Sequence, residues 1–204
     1  MPDGTLSSNP SALPPSTRRF ARPSAATPVH SPSRTGVITI LLLLLFSGTA
    51  TAQPALALIE RTLALKYPVV QLKTDSLATR LSTQDSSGVL LFDVRRADEF
   101  AVSRIRGAVR ADPDLTADEF ARMFAGALKE KELVFYCSVG YRSSILLERV
   151  QQQALDAGAV SLANLRGGIF RWYNERRPLY DGTGKVDTVH RYDAFWGRLL
   201  KKDD

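Results

Sequence analysis

The sequence predicts an α/β fold with a mostly parallel sheet, and three observations lead to it. Residues 89–94 and 133–136 are short, continuous apolar runs, the mark of strands buried on both faces of a parallel sheet. Stretches with helical spacing separate them, bounded by start and stop signals such as Thr116 and Gly158. Strands that alternate with helices in this way are joined by crossovers rather than hairpins.

Taken in order, residues 1–36 are built mainly of Ser, Thr, Pro, Ala and Arg, and form a leader that cannot bury enough surface to offset its chain entropy. Residues 37–52 join an apolar run, from Val37 to Phe46, to the small residues Ser47-Gly48-Thr49-Ala50-Thr51-Ala52. Charged, then apolar, then small is the order of a secretory signal peptide, with Ala50 and Ala52 placing cleavage after Ala52. The alternative is an uncleaved membrane anchor reaching residue 59, because no charge occurs from Thr35 to Ile59 and about 20 apolar residues span a bilayer. Either way, Arg18, Arg19, Arg22 and Arg34 precede the apolar run and send residues 60–204 across the membrane. The expected location is a periplasm or other extracytoplasmic space, free or anchored facing outward. An acid-poor, Ser- and Arg-rich leader also fits entry to an organelle lumen.

Residues 53–66 read as a linker with a short helix over 58–65, and 67–178 as the domain proper. Residues 67–72 enter extended, and Thr74 is placed to cap a short helix through Leu81. The first buried run follows at 89–94, and the charged stretch 95–102 reads as a short helix. Thr116 and Glu119 form a capping box, after which Phe120, Met123, Phe124 and Leu128 recur at helical spacing. The second buried run, 133–136, leads directly to Cys137. A helix over 143–157 ends at Gly158, 160–165 is another strand, and Gly167-Gly168 opens a last helix around a core Trp172. The extension 179–204 carries Tyr180, Tyr192, Phe195 and Trp196, expected to form an apolar strip that docks a short aromatic helix, or else a surface for a partner protein.

Composition removes several classes of function. One cysteine makes no internal disulfide, and with only His30 and His190 beside it no Cys₄ or Cys₂His₂ metal site exists. The net charge is +6, and half of it lies in the four arginines and single Asp3 of residues 1–52. The remainder is an ordinary mixed surface that gives no support for nucleic-acid binding. A cysteine protease is poorly supported as well, since His190 is the only histidine after residue 52 and sits in the tail.

Chemistry concentrates at Cys137-Ser138-Val139-Gly140-Tyr141-Arg142-Ser143. In a parallel sheet the ligand site lies beyond the carboxyl ends of the strands, and Cys137 stands at such an end, ahead of a helix. A short loop there curls its amides toward the sulfur, Gly140 permits the curl, and the helix N-terminus and Arg142 add positive charge. All of these favour an ionised sulfur, the nucleophilic form of cysteine.

On these residues the chain resembles the rhodanese domain family over about 67–178. The matching segments are Leu91-Phe92-Asp93-Val94-Arg95 with Glu99-Phe100, Ile105-Arg106-Gly107-Ala108, the loop 137–143, and Leu165-Arg166-Gly167-Gly168-Ile169 with Trp172. The resemblance implies about five parallel strands flanked by helices on both faces, and a sulfurtransferase needing no metal or organic cofactor. Cys137 takes the outer sulfur of a small donor anion such as thiosulfate as a persulfide. Ser138, Val139, Gly140, Tyr141 and Arg142 cradle it, and a thiol or other thiophilic acceptor removes it. Asp93, Arg95, Glu99 and Ser143 are assigned to structural support, with Arg95 within helical reach of Glu99. The four residues between Cys137 and Arg142 are one fewer than in the family's phosphatase relatives, so the loop suits one sulfur atom rather than a phosphate. Two departures stand out: Ser103-Arg104 where the family often has Gly-His, and no basic residue at 138 or 139, which leaves the donor open. A binding or sulfide-sensing module without turnover is the alternative function.

Overall fold

The computed structural model describes residues 52–82 and 86–201. The leader expected over 1–36 and, except for Ala52, the signal-type segment over 37–52 lie outside the described residues. The two buried runs become adjacent central strands, β2 (Val89–Asp93) and β4 (Glu132–Tyr136), paired in parallel with Phe92 opposite Phe135 and Asp93 opposite Tyr136. With β1 (Gln71–Leu72), β3 (Val109–Arg110) and β5 (Ser161–Leu165) they form one sheet of order β1-β5-β4-β2-β3, parallel throughout. Leu133 through Tyr136 are all buried, so both faces of β4 are covered, as a continuous apolar run requires. The outer strands are two residues long, which leaves little open edge for pairing with another chain.

Helices fill the crossovers: α1 (Ala52–Lys66), α2 (Thr74–Ser82), α3 (Ala97–Val102), α4 (Ala117–Leu128), α5 (Tyr141–Asp156) and α6 (Gly168–Asn174). The capping box at α4 forms as expected, Thr116 Oγ1 accepting from Glu119 N while Thr116 N donates to Glu119 Oε2. The aromatic residues of α4 then meet one face of the sheet. Phe92 and Phe135 stack at 4.9 Å, with Phe120 at 5.1 Å and Phe124 at 4.8 Å from Phe92. Met123 does not join them; it is exposed, because Phe120, Phe124 and Leu128 at spacing four already fill the inward stripe.

The first correction concerns 53–66. Far from a linker, α1 runs the whole segment and buries Leu56, Ile59 and Leu63 at i, i+3 and i+7. Glu60, on the same face and 4% exposed, pairs with Arg166 at 2.9 Å and Arg171 at 2.6 Å, which ties α1 to the chain around the start of α6. The helical turn also persists to Tyr67, whose N–H donates to Leu63 O, so the extended segment expected over 67–72 shrinks to β1. Thr74 is not a cap: its hydroxyl donates to Glu175 Oε2, while Lys73 O receives Leu77 N.

The tail is the second correction. Aliphatic residues dock it most deeply, with Val189, Leu199 and Leu200 buried; of the aromatic residues Trp196 is half-buried against the core, Phe195 is half-buried, and Tyr192 is 44% exposed. Tyr180 lies apart from them, in the short antiparallel pair of β6 (Leu179–Tyr180) with β7 (Lys185–Val186). The last helical turn, Trp196–Leu199, packs on α1. Buried Asn174 clamps it from both directions, Nδ2 donating to Leu199 O and Oδ1 accepting from Lys201 N, each at 2.8 Å. Among the described residues no helix is long and apolar enough to cross a membrane.

If α1 belongs to the core, Leu63→Ala lowers the unfolding free energy by about 2–5 kcal/mol in urea denaturation, whereas a linker position would leave it unchanged.

Candidate active site

Strand β4 delivers Cys137 to the carboxyl edge of the sheet and α5 begins four residues later, so the loop between them is short. Gly140 turns it, with φ +99°, and its N–H points back to Cys137 Sγ at 3.2 Å. The outer side of the loop is held by α6: Ile169 N donates to Cys137 O at 2.9 Å and Phe170 N to Ser138 O at 3.0 Å. Gly168 makes that approach possible, since a Cβ there would stand 2.3 Å from Cys137 O and 2.7 Å from Ser138 O. The Gly-Gly pair was visible as a helix opening, but its contact with the cysteine loop was not.

Four of the five cradle residues sit in or beside the core. Ser138, Val139 and Gly140 are buried and Tyr141 meets Tyr67 edge-on at 6.2 Å, while Cys137 itself is 1% exposed. Ser143 donates to Asn164 Oδ1 at 2.6 Å, and Asn164 Nδ2 passes the contact to Gln71 at 2.9 Å. Ser144 Oγ donates to Gly140 O at 2.7 Å and fixes the turn. Asn164 and Ser144 were missed because neither stands out from its strand or helix in the sequence.

The charges are arranged differently from expectation. Arg142 does not aim an unshared charge at the sulfur. Its Nη1 and Nη2 donate to the two carboxylate oxygens of Glu99 at 2.7 and 2.9 Å, and Nη2 also reaches Ser138 Oγ at 3.0 Å. Ser138 Oγ in turn donates to Glu99 Oε1 at 3.0 Å. Burial of Glu99 favours its protonated form, but the hydrogen bonds and charge of Arg142, with the Arg96 amide and the Ser138 hydroxyl, hold its carboxyl below the usual carboxylate range. Burial weakens Arg142's hold on its proton too, and the hydrogen bond to Glu99, with the charges of Cys137 and Glu99, reverses this, so the guanidinium stays charged.

Arg95 therefore does not reach Glu99. It precedes α3 in non-helical backbone and folds onto Asp93, both side chains 0% exposed, with Nη2 to Oδ2 at 2.6 Å. The same nitrogen donates to Ser103 O at 2.5 Å, which ties the end of β2 to the segment after α3. Burial, followed by the charge of Asp93, pushes the Tyr136 phenol well above its ordinary value, and its oxygen accepts from Ile105 N at 3.2 Å. Asp93 and Arg95 thus form a buried pair at the end of β2. One contact comes from outside the loop region altogether: Tyr192 of the tail places its ring 5.3 Å from the Arg142 guanidinium carbon. Among the described residues, no three His, Cys, Asp or Glu side chains converge as metal ligands do.

Comparison with known proteins gives one family. The model described as "Rhodanese-like domain" matches residues 74–175. Two curated relatives are tRNA uridine(34) hydroxylases, from Kocuria rhizophila at 34% identity over 113 residues (52% of this chain) and from Rhodococcus erythropolis at 36% over 107 (48% of this chain). The chain spans 36% of the length of each. Among solved structures, a thiosulfate sulfurtransferase from Pseudomonas aeruginosa aligns at 19% identity and TM-score 0.47, covering 70% of this chain and 26% of that one.

Two outcomes test the geometry. Gly168→Ala destabilises the fold by more than the ~1 kcal/mol of an ordinary glycine replacement, while Gly126→Ala, in mid-helix with open space around it, is neutral or stabilising; denaturation midpoints compare them. The depressed Glu99 carboxyl contributes stability that is present above its unfolded value of about 4.3 and is lost as pH falls through the lower folded value. Wild type consequently loses stability as pH falls below about 4.3, and Glu99→Gln flattens that acid limb while lowering the neutral plateau by about 3 kcal/mol.

Proposed function

Because the chain belongs to the rhodanese-like domain family, we propose that it is a sulfurtransferase that carries sulfane sulfur as a persulfide on Cys137. One observation carries the reading. The sulfur stands at the end of a central strand, in a loop closed by Gly140 N–H at 3.2 Å and followed at once by a helix. That is a fixed nucleophile with a hydrogen-bond donor at hand for the sulfur it receives.

The reaction runs in two displacements. The Cys137 sulfur attacks the outer sulfur of a donor such as thiosulfate or a persulfide, the donor's S–S bond breaks, and its remainder leaves with the electron pair. A thiol or other thiophilic acceptor then attacks the outer sulfur, and Cys137 leaves as the thiolate. Gly140 N–H, the carbonyls pinned by α6 and the Ser143 contact to Asn164 keep the loop from rearranging between the steps. The apolar run at 37–46, followed by Ala50 and Ala52, supports placing this activity on the far side of a membrane.

Intact-mass analysis after incubation with a donor gives a gain of one sulfur on wild type and none on Cys137→Ser. No gain on wild type with thiosulfate or with any persulfide removes the reading.

The identity to tRNA uridine(34) hydroxylases favours a second reading, in which the domain serves an RNA-modifying activity. Nucleoside mass analysis of tRNA incubated with the protein distinguishes the two: an oxygen added to uridine supports this second reading, and unaltered nucleosides with a sulfur-loaded Cys137 support the first.

A further inference from the structure

Tyr192 lies beyond the stretch matched by the family model, 74–175, yet its ring covers the only charged side chain in the loop 137–142. Its position is imposed rather than intrinsic. The residue has φ +67°, a conformation that residues other than glycine rarely adopt, and its N–H donates to His190 Nδ1 at 3.0 Å. Val189 is buried on one side of it and Leu199 and Leu200 on the other, with Asn174 clamping the far end.

The consequence concerns what charge an incoming donor meets. Nη1 and Nη2 of Arg142 are engaged by both oxygens of Glu99 and by Ser138 Oγ, and the Tyr192 ring centre lies 5.3 Å from the guanidinium carbon, within cation–π range. Glu99 is 1% exposed, so little water screens its compensation of Arg142. Ser138, Val139, Gly140 and Tyr141 add no charge. Arg142, its side chain 21% exposed, is thus already paired with Glu99, and the loop holds no second cation. Thiosulfate brings two negative charges to this place, whereas an organic persulfide brings at most one at its sulfur pair.

We propose that Tyr192 is a specificity-determining residue of this site and that the sulfur donor is an organic persulfide rather than thiosulfate. The proposal rests on the sulfurtransferase reading. Its step balances without an added oxidant or reductant. The Cys137 thiolate attacks the outer sulfur of R–S–SH, the new Sγ–S bond forms as the old S–S bond breaks, the proton stays on the outer sulfur, and RS⁻ leaves with the electron pair.

The test follows sulfur loading of the full chain over time by intact mass, with cysteine persulfide and with thiosulfate, each rate divided by that of free cysteine with the same donor. Wild type is expected to favour the persulfide by about tenfold, the scale of one poorly screened charge contact. Tyr192→Ala raises the thiosulfate rate about threefold or more and leaves the persulfide rate in place, because it opens the face of Arg142 to an anion. Tyr192→Phe keeps the wild-type ratio, since the ring alone covers the cation. Equal or faster wild-type loading from thiosulfate overturns the proposal, and so does a Tyr192→Ala variant that slows both donors alike, the mark of a merely structural residue. If Cys137 loads from neither donor, the sulfurtransferase reading itself fails and the donor preference with it; loading from both with no dependence on residue 192 removes the role proposed for Tyr192 and leaves the sulfurtransferase reading standing.

Discussion

A carboxylate with 1% exposure has almost no water to stabilise it, and the surroundings of Glu99 are arranged to take water's place. Arg142 supplies two N–H groups from the first turn of α5, Ser138 a hydroxyl from the loop, and Arg96 an amide from the start of the glutamate's own helix. Three separate segments thus converge on one charge. A buried charge left without its partner costs several kcal/mol, so the loop cannot leave its conformation without stranding Glu99. The loop that carries Cys137 is held in place by this ion pair.

The same logic repeats one strand away. Asp93 and Arg95 are both fully buried at the end of β2, and Arg95 uses its second contact to hold Ser103 O. This is the point at which the chain carries Ser103-Arg104. Arg104 places its guanidinium carbon 4.6 Å from the Phe100 ring centre and pairs by backbone with Tyr180. This segment is therefore fixed by backbone and buried charge together, and by Arg104 itself, whose Nη1 donates to Phe100 O at 3.3 Å. Both anchors are neutral as pairs. They stiffen the site from two sides of β2 and the loop.

What was legible in the sequence is what is local. The runs that became β2 and β4, the capping box of α4 and the loop from Cys137 to Ser143 each lie within a few consecutive residues, and burial and turn chemistry act at that range. The partner of Arg142 lies 43 residues earlier, on the far side of a crossover, and spacing along the chain says nothing about such a meeting. Arg95 and Glu99 have the right interval for a helical pair, but α3 starts only at Ala97, so the interval has no helix to act through. Helix α1 is legible only over 58–65 for a different reason: it follows an apolar run that reads as an address, and Leu56 and Ile59 fall within the uncharged stretch to residue 59 that belongs to that reading. The tail failed on chemistry. Its aromatic residues drew attention because they are large, while Leu199, Leu200 and Val189 are the side chains that reach the core.

That division within the tail matters for the site. If Tyr192 were an anchor, its ring would be buried and its contact with Arg142 incidental to packing. It is instead 44% exposed, held at φ +67° between anchors that do the docking, and it spends its ring on a cation that already has a carboxylate partner. A left-handed conformation in a residue with a side chain costs on the order of 1 kcal/mol, and the buried aliphatics and the Asn174 clamp are what sustain it. The fold therefore places a tolerant, exposed aromatic at the one charged position of the loop. A change at 192 can alter what reaches the sulfur while the core, the loop and the two buried ion pairs keep their geometry.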